Sequence, residues 1–280
     1  MKKIVTFIKV FFVVLLISPT TIFAESNLSE ADLEAIYGVI DYRPELTTMT
    51  PNQALKAIAE YRNNLLSDSN QSNFSEQGLL ILDGLLALEE VTYLYNMNST
   101  DPNLRLILFP LNNKLESWIK QHNPEEISPW LYVVAGDLQA CSIRFYSVTN
   151  LLDVGLTIKK YYENALKEDP NLTEGNLSLA QWYFYAPALG GGSKKKSRQF
   201  FEKALATATT PAEKFYANLY YSQFLFDQKD KAGARIALNK AKAVEPNSQK
   251  IDFIQMLNDN GYTLFYYTLN REKVDKKLGL

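Results

Sequence analysis

The chain has 280 residues, 46% of them hydrophobic, which suffices for one large domain or an extended repeat array. Its 29 basic and 31 acidic side chains give a net charge of −2, so no basic excess attracts nucleic acid. A single cysteine, Cys141, excludes an internal disulfide, and a single histidine, His122, excludes a multi-histidine metal site within the chain.

The first residues read as a leader. Lys2 and Lys3 give a positive start, Val10 to Ile17 form an apolar run, and Ser18, Pro19, Thr20 and Thr21 break it before Ala24. That is the layout of a secretory signal peptide over residues 1–24, cleaved after Ala24. The apolar run is too short to cross a bilayer, which takes about 20 residues. Removing Lys2, Lys3 and Lys9, and no acids, moves the formal charge from −2 to −5. The expectation is a periplasmic or secreted protein with no stable membrane anchor after cleavage.

Beyond the leader, apolar spacing predicts helices separated by short punctuated turns, with no strand-period run. Pro51 opens a helix carrying Leu55, Ile58 and Leu65, and residues 67–75 read as a polar linker. Residues 77–96 are apolar on most faces, which predicts a central, well-buried helix. Asp101-Pro102 starts another, ending near His122. Ser128-Pro129-Trp130 is a strong helix start, since serine caps free amides and proline fits the first turn. That helix is expected to run through Phe145, with a break near Asn150 and a further helix over 153–167.

From there the chain repeats itself. Three successive helices carry Ile158–Tyr162–Ala165–Pro170, Ser197–Phe201–Ala204 and Ala234–Leu238–Ala241–Pro246. The spacing of small, large, alanine and proline positions resembles the second helix and closing turn of the tetratricopeptide repeat (TPR). The small residues let two helices approach, the large one fills the gap to the next hairpin, and proline stops the helix. Ala180 with Tyr183, and Ser222 with Leu225, match the small and aromatic or large positions of the first helix. The resemblance implies an all-α fold of TPR-like helical-hairpin repeats, an α-solenoid with helical caps. Residues 25–125 form an N-terminal helical region (diverged repeats or a cap), 126–246 the repeats and 247–280 capping helices. The tail reads as two helices divided by Asn260-Gly261.

Between Tyr183 and Ser197 the chain is about five residues longer than the standard repeat. The excess lies in Tyr185-Ala186-Pro187-Ala188-Leu189-Gly190-Gly191-Gly192, where Pro187 ends one helix and Ser193 caps the next. Its wording is similar to exported bacterial TPR proteins, including partners of TRAP-type solute transporters. The resemblance also implies a concave groove lined by Glu174, Leu177, Gln181, Phe184 and Tyr185 from one repeat, and by Tyr216, Leu219, Gln223, Phe226 and Asp227 from the next. Aromatic anchors beside amides and acids suit a protein or peptide partner in the cell envelope, or a small molecule delivered to a transporter. The C-terminal helices could equally cover that groove.

No constellation points to catalysis, a metal or a cofactor. Gly190 to Ser197 lacks the spacing and the preceding strand of a phosphate loop. Lys194, Lys195 and Lys196 oppose the dipole of the helix they start, as a solvated surface or as an anion or headgroup contact. Glu89 and Glu90 are neighbours on a helix and point in different directions. Cys141 reads as a small packing residue, and His122 as a cap on a helix end.

Overall fold

The computed structural model describes residues 27–280, so the expected leader and its cleavage site lie outside the described residues. Within them there are fourteen α-helices and no strand. The N-terminal region contributes α1 (Glu30–Leu46), α2 (Pro51–Leu65), α3 (Asp68–Gln71), α4 (Glu76–Met97) and α5 (Asn103–Gln121). Three hairpins follow: α6 (Pro129–Ser142) with α7 (Leu151–Glu168), α8 (Thr173–Tyr185) with α9 (Lys194–Thr207), and α10 (Pro211–Asp227) with α11 (Lys231–Val244). The chain ends in α12 (Gln249–Asp259), α13 (Leu264–Leu269) and α14 (Arg271–Leu278).

The hairpins close where the repeat pattern places small residues. Ala165, Ala204 and Ala241 are fully buried, as are Ala180, Ser197 and Ser222. In the second hairpin the two small positions meet directly, with Ser197 Oγ donating to Ala180 O at 2.9 Å. Phe201 and Leu238 fill the spaces that the small residues leave. The first hairpin relies on glycine instead, because a Cβ on Gly136 would lie 2.4 Å from the Tyr162 ring. The first helices of the hairpins, α6, α8 and α10, touch one another along the inner face.

Helix α4 is the centre of the N-terminal half, packed by α1, α2, α5 and α6. Its Leu80, Ile81, Leu82, Leu85 and Leu86 share one core with Ile36 of α1, Leu108 of α5 and Val134 and Leu138 of α6. The N-terminal helices and the first hairpin are therefore one packing unit. A second core runs from Leu177 to Phe265.

Three expected boundaries differ. The 67–75 linker contains the short helix α3. Helix α6 stops at Ser142, whose Oγ turns back to Leu138 O at 2.8 Å, and 3-10 turns at Ile143–Phe145 and Val148–Asn150 replace its expected last turn. The tail has three helices, not two. Thr263 caps α13, and the Asn270 side chain donates to Tyr266 O at 3.0 Å, ending it before α14.

Gly136→Ala pushes a methyl into the Tyr162 ring, so it is expected to destabilise the protein by about 1–3 kcal/mol. Urea unfolding checks this, and an unchanged midpoint would refute the close approach of α6 and α7.

Candidate functional site: the inner face

Of the expected groove positions, Phe184, Tyr185 and Gln223 reach α13, and several of the others are buried. Leu219, Gln223, Tyr216, Leu177 and Glu174 are buried. Gln181, Phe184, Phe226 and Asp227 are half-buried, and Tyr185 is the most exposed of the set. An open peptide groove along all ten residues is not what the structure holds.

Helix α1 covers one half. Tyr37 packs edge-on to Trp130 of α6, with ring centroids 5.6 Å apart. The Arg43 guanidinium lies 4.3 Å from the Tyr216 ring centroid, and its Nε donates to Glu89 Oε1 at 2.7 Å. The Tyr216 hydroxyl donates to Arg43 O at 3.4 Å. Just beyond α1, Thr47 O accepts from Gln249 N at 2.9 Å, and Thr47 Oγ1 donates to Ser248 Oγ at 2.7 Å. These bonds tie the start of the chain to the end of the repeats.

Helix α13 covers the other half. Phe265 is 1% exposed, and its ring centroid lies 4.5 Å from Phe184 and 5.5 Å from Tyr185. Phe201 and Tyr220 complete the cradle at 6.3 and 6.4 Å. Gln223 Oε1 accepts the backbone N–H of Leu264 at 2.8 Å. At the rim, Lys194 sits over the Phe184 ring at 3.0 Å and pairs with Asp227 at 3.6 Å. Burial lowers the Lys194 pKa, with Asp227 acting against it. Lys194, Lys195 and Lys196 are all exposed, and of the three Lys194 reaches Phe184 and Asp227.

Buried charge underlies the face. Glu174 Oε2 has no hydrogen-bond partner, and burial, followed by the charge of Glu213, raises the Glu174 pKa to about 7. Glu213 itself caps α10, accepting from Thr209 N at 2.6 Å and Thr210 N at 2.9 Å. Burial raises Asp137 to about 6, against hydrogen bonds at 2.8 Å from the hydroxyls of Tyr162 and Ser178. These carboxylates sit within packed helices, and the charges of Glu213 and Asp137 both act to raise the Glu174 pKa. Sequence reasoning named Glu174 but missed Asp137, Arg43 and Glu213. The available signal was a lone acid in an otherwise apolar stretch, Val133-Val134-Ala135-Gly136-Asp137-Leu138.

The other singled-out residues have structural partners. His122 ends α5, with Nδ1 2.8 Å from Trp118 O and its ring stacked on Trp118. Glu89 and Glu90 part company, the first to Arg43 and the second to Arg62 at 3.4 Å. Cys141 is half-buried, and burial pushes its thiol up to about 12. Gly191 takes φ +96°, and Ser193 caps α9, accepting from Lys196 N at 3.3 Å.

No family model and no curated protein matches the sequence. Among solved structures, the chain is similar to a thermophilic TPR protein of Thermus thermophilus, at 11% identity and a TM-score of 0.46. That likeness covers 79% of this chain and 95% of the other. The fold is all-α and TPR-like. This character rests on the chain's own hairpins and their buried small residues.

The raised Glu174 pKa has a definite consequence for stability. The folded state holds a proton that the unfolded chain releases near 4.5. The stabilising contribution is complete below that value and is lost as pH rises through about 7. The loss is on the order of 3 kcal/mol. Glu174→Gln keeps the shape and removes the titration, so its unfolding free energy should fall less than that of the parent between pH 5 and pH 8. Equal pH dependences would show that Glu174 titrates normally.

Proposed function

We propose that this protein is an exported interaction scaffold whose inner face receives a segment of a partner protein bearing an aromatic anchor. In the resting molecule α13 occupies that place. The observation that carries the reading is Phe265, held by Phe184, Tyr185, Phe201 and Tyr220 while Gln223 accepts the Leu264 amide. An aromatic side chain in a desolvated pocket with one main-chain hydrogen bond is how a groove anchors a peptide. Here the chain supplies the peptide.

Helix α13 suits a displaceable occupant. It has six residues, follows the left-handed Gly261, and leaves Tyr266 and Leu269 exposed. A tethered segment competes at a high effective concentration, in the millimolar range for a short linker. A partner must therefore bring further contacts, and the half-buried Phe226 packs against the same cluster. Catalysis has no part in the proposal. The leader supports export.

A peptide spanning residues 260–271 should bind Phe265→Ala at least ~10-fold more tightly than the parent, because the internal competitor is gone. Titration calorimetry reads this out, and a chain ending at Asn260 repeats the test without a cavity at Phe265. Equal affinities for all three would sink the groove reading. Export is tested separately, by sequencing the amino terminus of the protein from its host. Glu25 is expected, and an intact Met1 would contradict export by cleavage.

A further inference from the structure

We propose that the outer end of the stack, where α7 meets the loop joining α8 to α9, docks on an anionic lipid bilayer. Val148, Leu152 and Leu156 stand at four-residue spacing on the outer face of α7 and the turn before it. They are 85%, 58% and 47% exposed, and Lys160 continues the same stripe one turn on. The loop brings a fourth aliphatic side chain, Leu189, which is fully exposed. The loop is held beside α7 rather than swinging free. Trp182 Nε1 donates to Gly155 O at 2.7 Å, and a Cβ on Gly190 would lie 3.9 Å from Leu152. The apolar side chains therefore form one protruding tip.

Lysines rim that tip. Lys195 and Lys196 follow the loop directly, and both are exposed with no ion pair among the described residues. The ammonium groups of Lys196 and Lys159 approach the same Tyr183 ring, at 5.1 and 5.9 Å. The acids nearby are Asp153, in the first turn of α7, and Glu163, which is paired with Lys159. Lys160, Lys195 and Lys196 thus leave the tip basic on a chain whose formal charge is negative. Three lysines at the start of α9 also oppose its dipole, a cost that an anionic surface offsets.

The shape favours lipid over a protein partner. Four aliphatic side chains fall far short of the ~20–30 residues that a standard protein interface uses on each side. Each is at least 47% exposed, so whatever receives them must deform around them. A bilayer interface does so, taking aliphatic side chains among its acyl chains while its headgroups meet the lysines.

The test places a reporter on the tip. In the full chain, Leu189→Trp is titrated with phosphatidylcholine vesicles, with and without phosphatidylglycerol, carrying brominated acyl chains. The parent protein serves as the blank for Trp118, Trp130 and Trp182. Quenching at position 189 reports that tip alone, whatever residues 1–24 do. The expected result is a blue shift and quenching on phosphatidylglycerol vesicles and neither on phosphatidylcholine. Each lysine near an anionic surface is worth about five-fold in partitioning. Lys195→Glu with Lys196→Glu should therefore weaken the response at least ~25-fold, and Leu152→Asp should also weaken it. A tryptophan at 189 that stays unquenched on both vesicles overturns the proposal. So does quenching indifferent to Lys195 and Lys196, or a photo-crosslinker at 189 that joins an acidic protein and no lipid.

Discussion

The inner face of three stacked hairpins cannot be left to water in this sequence. Phe184, Tyr216 and Leu219 meet in one apolar cluster, contributed by the first helices of successive hairpins. Together they would expose a continuous apolar strip, which monomeric proteins seldom tolerate. The molecule answers with its own two ends. Helix α1 lies against Trp130 and Tyr216, and α13 drops Phe265 between Phe184 and Tyr185. Most other features follow from that need for cover. The Thr47 bonds to Ser248 and Gln249 hold the two covers in register. The Arg271 contacts with the carbonyls of Tyr95 and Asn96 tie the last helix back onto α4.

Covering the face with α1 buries charge, and the structure handles each group differently. Arg43, 22% exposed, has a carboxylate at one side and an aromatic face at the other, so the cation is paired where water is scarce. Asp137 has two hydroxyl donors. Glu174 has one oxygen with no partner, and it responds by holding its proton to higher pH. The three groups come from α1, α6 and α8, so no single helix determines any of their environments.

The loop end of the second hairpin has two characters. Lys194 lies over Phe184 and pairs with Asp227. Leu189 stands fully exposed, and Lys195 and Lys196 carry no ion pair among the described residues. The insertion that lengthens this hairpin produces the contrast. Pro187 and the left-handed Gly191 turn the chain outward before Ser193 restarts the helix. Beside it, an open depression of about 470 Å³ is lined by Leu166, Leu179 and Phe200.

The local sequence determined the helices and the hairpins. Ser128-Pro129, Asp169-Pro170 and Ser193 act within a turn or two of themselves, and the small and large residues of the repeats meet partners close in the chain. The all-apolar stretch of α4 showed that it is buried, since no face of it can meet water. Helix α1 was harder to read, because its buried Asp32 and half-buried Arg43 interrupt any clean stripe. Asp32 serves the amide of Ser75, and Arg43 serves Glu89 and Tyr216. These partners lie tens to more than a hundred residues away, where periodicity has no reach. The expected groove positions came from the resemblance to the repeat, not from local spacing. Whether they face a partner or the chain's own helices depends on long-range packing of α1 and α13, and only the tertiary structure decided it.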